Sequence, residues 1–140
     1  MRARFCVLLI LLTITTQGQK IEEVFLNKPF TANVNSVCEE IPDDNPCAGE
    51  EIYVVAMFTK DKVQLAEKGV SSCGEETYVL NFTYNWNIKQ DEIVILTNPK
   101  EVKNTHLKKI KFSIQDKKLI GYITYPNGKV IAYHFKEEKK

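Results

Sequence analysis

The sequence lacks the short motifs by which common enzyme classes are recognised. It contains no Gly-x-Ser-x-Gly, no His-Glu-x-x-His and no Gly-rich phosphate loop. A cysteine nucleophile requires a histidine base, but nothing in the sequence joins Cys73 to His134. We therefore expect a protein that is not an enzyme and that uses no cofactor.

The chain also lacks an excess of charge of either sign. It carries 19 Lys and Arg against 18 Asp and Glu. Once Arg2 and Arg4 are assigned to a cleaved N-terminal segment, 17 basic residues remain against 18 acidic ones, a net charge near −1. Nucleic-acid binding requires a clear positive excess, so no nucleic-acid partner is expected.

Long apolar runs are absent except at the N-terminus. Two arginines precede the apolar stretch 5–14, and the small residues Thr16 and Gly18 follow it at the positions that signal peptidase reads. The stretch lacks the polar period of a buried helix or strand and is short for crossing a bilayer. The sequence predicts a signal peptide over 1–18, a single domain over 19–140 and no membrane span. Secretion follows, extracellular or, in a bacterium, periplasmic.

Cysteine is scarce, with four in the whole chain and Cys6 inside the predicted signal peptide. Cys38, Cys47 and Cys73 remain in the mature chain, and an oxidising compartment favours pairing two of them. Eight residues separate Cys38 from Cys47, whereas zinc sites usually have about two to four between ligands. We therefore expect a disulfide and no metal site.

The predicted turn at Lys60-Asp61 favours one pairing of these cysteines. Residues that face each other across that hairpin have numbers that add to about 121. The numbers of Cys47 and Cys73 add to 120, so these two cysteines are within one residue of facing each other. Cys38–Cys73 and Cys38–Cys47 remain as alternatives. The favoured bridge leaves Cys38 as the odd thiol, in a monomer or joining two chains in a dimer.

What the sequence does contain is alternation of apolar and polar residues. The clearest stretch is 78–88, where six apolar positions alternate with five others. Strands are predicted at 28–37, 52–59, 62–68, 78–88, 92–97, 107–115, 118–125 and 129–135. Short polar turns force antiparallel neighbours, so the fold class is all-β. We predict an up-and-down meander of seven to eight strands in a small closed or partly closed barrel, with an open sheet as the alternative.

This meander, the signal peptide and the short final strands resemble the small exported lipocalin-like (calycin-type) β-barrel proteins, over roughly residues 28–135. The Gly-x-Trp of lipocalins is missing, and the one tryptophan is Trp86 in the middle of the chain. The resemblance implies a ligand or partner at the barrel mouth, with no chemistry performed.

An aromatic set on the predicted strands offers a site for such a ligand. The candidate cavity-lining residues are Tyr53, Phe82, Tyr84, Trp86, Phe112 and Tyr133. Aromatic residues at such positions either line a cavity or fill a small barrel. An open cavity behind the 78–88 face favours ligand binding, and a solid core favours a function carried by the surface.

Meander topology gathers the loops 38–51, 69–76, 98–106 and 126–128 at one end of the barrel. That end carries eight carboxylates: Glu39, Glu40, Asp43, Asp44, Glu50, Glu51, Glu75 and Glu76. A cation site, a docking surface for a basic partner and a solvated end are the alternatives. No calcium-loop spacing is present, which favours the solvated end.

Two further features lie on the predicted strands and their connections. Seven lysines crowd residues 100–118: Lys100, Lys103, Lys108, Lys109, Lys111, Lys117 and Lys118. They form either a patch for an anionic partner or protection of a strand against aggregation. Asn81-Phe82-Thr83 is a possible N-glycosylation site in a eukaryotic source.

Together these features predict an exported, non-enzymatic binding protein of lipocalin-like type. Its partner is a small apolar ligand or an extracellular protein. The alternative function is an exported proteinaceous inhibitor of a secreted hydrolase.

Overall fold

The computed structural model describes residues 23–38, 49–90, 92–103 and 105–139. The predicted signal peptide 1–18, most of the acidic loop and Cys47 lie outside the described residues. Within the described residues, no helix has both the length and the apolar character needed to cross a membrane.

The described chain is an all-β antiparallel meander, as the sequence predicts. Its strands are β1 (Pro29–Cys38), β2 (Gly49–Phe58), β3 (Lys62–Ser71), β4 (Glu76–Lys89), β5 (Glu92–Ile95), β6 (Ile110–Gln115), β7 (Lys118–Thr124), β8 (Val130–His134) and β9 (Lys136–Glu137). Two short 3₁₀ turns, Glu23–Phe25 and His106–Lys108, accompany them. From β1 to β8 the strands lie side by side in the order of the sequence, each antiparallel to its neighbours.

The last strand brings the two sides of the sheet together into a nearly closed barrel. β8 pairs with β7, and β9, one residue further on, pairs with β1 through Phe30↔Glu137 and Thr31↔Lys136. Phe135 lies between β8 and β9 with its side chain buried, and its N–H donates to the carbonyl of Leu119 at 3.0 Å. The ninth strand is therefore the continuation of the predicted eighth.

Alternate residues of each strand point into the barrel and form the core. Ala56 of β2 faces Leu65 of β3, and both are fully buried. On the other side of the barrel, Phe112 of β6 meets Phe135, with ring centroids 5.2 Å apart. Gly121 of β7 leaves room for that contact, since a Cβ there would lie 2.8 Å from Phe135 Cε2.

The β2–β3 hairpin has the register that the sequence predicts. The pairs run from Phe58↔Val63 at the turn to Glu50↔Ser71 at the far end, and the two numbers of each pair add to 121. The hairpin prediction is therefore confirmed along its whole length.

β6 begins later than predicted. The sequence suggests a strand from residue 107, whereas residues 106–108 form a 3₁₀ turn and β6 starts at Ile110. Leu107 is buried from this turn. Its odd number does not fit the even-numbered inward positions Phe112 and Ile114, and this mismatch marks the break in the strand.

Candidate functional site

The short strand β5 opens the wall of the barrel on one side. β4 has 14 residues, but β5 covers only its last part, from Trp86↔Ile95 to Lys89↔Glu92. On its other side β5 pairs with β6 through Glu92↔Ser113 and Ile93↔Phe112, where the ladder ends in the described chain. Beyond that point the two strands separate, and a cleft opens between them.

This cleft, which we call the β5–β6 cleft, has a volume of about 240 Å³. Its floor consists of Leu65, Leu107 and Phe112, each at most 2% exposed. Its walls are the residues from Ile93 to Ile95 on β5 and Ile110 on β6. The remaining lining residues are polar: Glu92, Thr97, Lys108 and Lys111. The floor of the cleft is therefore apolar, and the charged groups lie on strand ends and turns around it.

The segment 96–109, which connects β5 to β6, crosses the opening in the barrel wall. Val102 and Leu107 insert their side chains into the core and are almost fully buried. Leu96 begins the segment by donating its N–H to the carbonyl of Asn85 at 3.0 Å. The segment thus takes the place of a longer β5 beside the part of β4 that precedes Trp86.

Two carboxylates attach this segment to the barrel. Glu67 of β3 is only 8% exposed, and its Oε2 accepts a hydrogen bond from the N–H of His106 at 3.0 Å. The Nδ1 atom of His106 lies 3.4 Å from Glu67 Oε1. The second carboxylate, Glu101, belongs to the segment itself and accepts a hydrogen bond from the hydroxyl of Tyr84 on β4 at 2.9 Å. Burial of the phenol, reinforced by this bond, raises the pKa of Tyr84 to about 12.

Most of the predicted cavity-lining residues pack against each other. Phe82 stacks on Tyr84 with ring centroids 5.9 Å apart, and Trp86 meets Phe58 edge to face at 5.4 Å. Phe112 lies 6.2 Å from Phe58. These contacts join the aromatic face of β4 to β2 and β6 across the barrel, so the interior behind that face is filled by side chains.

Of the other two predicted residues, Tyr133 also packs against the core, whereas Tyr53 does not. The hydroxyl of Tyr133 is 3.0 Å from that of Tyr125. Burial, and to a smaller extent this contact, raises the pKa of Tyr133 to about 12. Tyr53 occupies an odd position on β2, opposite to the buried Val54, and its hydroxyl donates to Glu51. This hydrogen bond raises the pKa of Tyr53. Tyr53 is therefore on the outer face and does not line the interior.

Sequence reasoning missed most of the cleft residues: Phe112 alone was predicted to line a cavity, and Lys108 and Lys111 were noted only within the lysine-rich segment. Leu65, Ile93 and Ile95 lie in the predicted strands 62–68 and 92–97, which gave no further indication of a site. The available signals were the short apolar run of β5 and the break in alternation between Leu107 and Ile110. Neither indicates a cleft until the separation of β5 from β6 is known.

The lysine-rich segment divides between the cleft and the general surface. Lys108 and Lys111 line the cleft, and Lys111 Nζ lies 3.9 Å from Glu92 Oε1. The side chain of Lys111 remains 74% exposed. Among the described residues, no group of three or more His, Cys, Asp or Glu side chains is arranged to hold a metal ion.

Only one of the three predicted disulfide pairings is compatible with the state of Cys38. Cys38 at the end of β1 is a free, exposed thiol, which contradicts both pairings that include it. Cys73 lies in the turn between β3 and β4. Since Cys47 lies outside the described residues, the Cys47–Cys73 bridge stays a prediction.

Asn81 is exposed on the outer face of β4, where its Oδ1 accepts a hydrogen bond from Gln64 Nε2 at 3.0 Å. The site is accessible to solvent, and its glycosylation stays a prediction.

No protein family, curated protein or solved structure matches the chain.

Proposed function

We propose that the chain is an exported, non-enzymatic binding protein of lipocalin-like type that holds a small apolar ligand in the β5–β6 cleft. The observation that carries the proposal is the apolar floor of the cleft, where Leu65, Leu107 and Phe112 come together below an opening in the barrel wall. Concave apolar sites with a few polar groups around them are the usual form of small-molecule sites.

The volume of the cleft sets the size of this ligand. A cavity of about 150 Å³ lined by apolar side chains binds benzene. At about 240 Å³ the β5–β6 cleft has room for a ring with substituents or for a short alkyl chain. Transfer of that apolar surface from water to the floor of the cleft would drive binding.

The resemblance to lipocalin-like barrels implied a site at the barrel mouth. The packing of Phe58, Trp86 and Phe112 leaves little room along the barrel axis. A ligand site in the side of the barrel, between two separated strands, is consistent with this filled interior.

The test uses a variant that fills the cleft. Thr97 lines it from the connecting segment, so Thr97→Trp should occupy the cleft without removing a core side chain. The matched control is Thr124→Trp, at an exposed position on β7. Each protein is titrated with 1-octanol by calorimetry, and native mass spectrometry of the exported protein reports a retained ligand.

We expect 1-octanol to bind to the natural protein and to the Thr124→Trp control, and its affinity to fall at least tenfold in Thr97→Trp. No binding to the natural protein, or equal binding to both variants, would overturn the proposal.

The second candidate function is an exported inhibitor of a secreted hydrolase. The filled interior favours it, because a solid core leaves the surface to carry the function. Leu96 and Tyr78 are each 60% exposed, and large apolar side chains on a surface suit contact with another protein. Stoichiometric inhibition of secreted proteases or glycosidases by the purified protein, unchanged in Thr97→Trp, would support this candidate over the first.

A further inference from the structure

We infer that the ligand of the β5–β6 cleft is a small amphipathic anion, with its apolar part on the cleft floor and a carboxylate-like head between Lys108 and Lys111. The inference rests on the proposed function and adds the charge of the ligand to it. Three features of the cleft carry it: the depth of the apolar floor, the charges around the opening and a backbone donor in the wall.

The apolar floor and the charged residues belong to one continuous cleft. Leu107 is almost fully buried, and the next residue, Lys108, is exposed and also lines the cleft. The same step from inside to outside occurs on β6, where Phe112 is buried and Lys111 is exposed. A ligand that reaches the floor therefore has its outer end beside two lysine side chains.

The charges around the cleft favour an anion. Lys108 and Lys111 stand against one carboxylate, Glu92, so the lining carries a net charge of +1. Lys111 Nζ is 3.9 Å from Glu92 Oε1, which is beyond hydrogen-bond distance, so the ammonium group keeps its donors for another acceptor. In the described part of the chain, Lys108 takes part in no ion pair.

The wall of the cleft contributes a backbone donor. Leu96 donates its N–H toward β4, to the carbonyl of Asn85. Because successive residues of a strand direct their backbone groups to opposite sides, the N–H of Ile95 is directed toward β6. The β5–β6 ladder ends before this point, at Ile93↔Phe112, so the Ile95 N–H faces the cleft. An anionic head can accept from it as well as from the lysines.

The experiment compares two probes that share one alkyl chain. Octanoate and 1-octanol are titrated into the full exported protein by calorimetry at low ionic strength and again at about 0.15 M salt. Because exposed ion pairs are individually weak, octanoate should bind roughly threefold to tenfold more tightly than 1-octanol at low salt. The preference should shrink at the higher salt concentration, because salt screens exposed charges.

Charge variants then locate the head of the ligand. Lys108→Gln combined with Lys111→Gln should abolish the preference for octanoate over 1-octanol. Glu92→Gln should raise the affinity for octanoate about twofold or more, since it removes the one carboxylate of the lining. Lys129→Gln, in the turn between β7 and β8, is the matched control and should change neither affinity.

The outcomes separate the inference from the proposed function. If both probes bind equally well to the natural protein, or if the double lysine variant keeps the preference, the inference is wrong and the proposed function stands. If neither probe binds, the proposed function fails as well. Because both lysines are exposed, the variants should keep the melting temperature of the natural protein, and this is measured alongside.

Discussion

Trp86 connects three parts of the barrel through a single side chain. Its indole N–H donates to the carbonyl of Thr59 at 3.1 Å and to that of Lys62 at 3.0 Å. Its ring meets Phe58 edge to face. The residue therefore holds the β2–β3 turn against β4 and also packs against the core.

Substitution of Trp86 separates these two contributions. Trp86→Ala should lower the free energy of unfolding by about 3–5 kcal/mol, because it removes a large packed ring. Trp86→Phe keeps a ring against Phe58 but loses the indole donor, so it should cost about 1 kcal/mol. Urea unfolding followed by circular dichroism measures both values.

The control for Trp86 is its neighbour on the opposite face of β4. Asn85 is exposed, and its Oδ1 accepts a hydrogen bond from Lys62 Nζ at 2.7 Å at the surface. Asn85→Ala should change stability by about 0.5 kcal/mol or less. Equal unfolding midpoints for Asn85→Ala and Trp86→Ala would contradict the inward orientation of Trp86.

At the scale of elements, the segment 96–109 is a part of the barrel wall whose described residues form no strand. It is held by buried Val102 and Leu107 and by the hydrogen bonds of Glu67 and Glu101. Glu67 is the critical attachment, because a nearly buried carboxylate needs hydrogen-bond donors to offset its loss of hydration. The N–H of His106 is one of them.

Removal of the Glu67 carboxylate should loosen this segment. Glu67→Ala leaves the N–H of His106 without its acceptor and should cost about 1–3 kcal/mol, whereas Glu67→Gln keeps an acceptor oxygen and should cost less. Hydrogen exchange should show faster exchange at residues 102–109 in Glu67→Ala, with little change in β1–β3. The control is Glu75→Ala, in the exposed turn after β3.

A uniform increase in exchange across the barrel would count against this local role of Glu67. So would equal protection of residues 102–109 in Glu67→Ala and in the Glu75→Ala control.

At the scale of the whole molecule, the C-terminal residues hold the barrel together. After β9, Glu138 donates its N–H to the carbonyl of Pro29, and its Oε1 lies 2.7 Å from Lys68 Nζ. The side chain of Lys68 is almost fully buried and also lies 3.3 Å from Glu76. Burial alone would lower the pKa of Lys68, but its hydrogen bonds to Glu138 and Glu76 outweigh this and raise it. The last residues are thus tied both to β1 and to β3.

The predicted disulfide would add a further constraint on the whole chain. The β2–β3 register continues beyond the strands, since Ser72 donates its N–H to the carbonyl of Gly49 at 2.8 Å. Gly49, two residues after Cys47 in the sequence, therefore faces Ser72, the residue before Cys73, as a Cys47–Cys73 bridge requires. The bridge would close a loop of roughly 25 residues and add about 3 kcal/mol of stability.

Peptide mapping under non-reducing conditions tests this bridge. We expect a fragment that links Cys47 to Cys73 and a Cys38 thiol that reacts with alkylating reagents in the folded protein. A fragment that links Cys38 to either of the other two would contradict it.

The sequence by itself determined what depends on neighbouring residues. Alternation of apolar and polar side chains located the strands, because side chains on a strand point to opposite faces in turn. The tight turn at Asp116 and Lys117 was equally predictable, and both residues adopt positive φ there, 48° and 60°. Short turns then required antiparallel neighbours, and the register of the β2–β3 hairpin followed from its turn.

Only the tertiary structure decided what depends on distant parts of the chain. The closing of the barrel requires Lys136 and Glu137 to pair with β1, more than 100 residues earlier. No pattern among neighbouring residues in the sequence indicates that pairing. The place where β5 separates from β6 depends on how Leu107 and Val102 pack into the core. The alternation of apolar and polar residues predicts which face of a strand is apolar. Whether that face contacts another side chain or borders a cleft depends on the shape of the barrel.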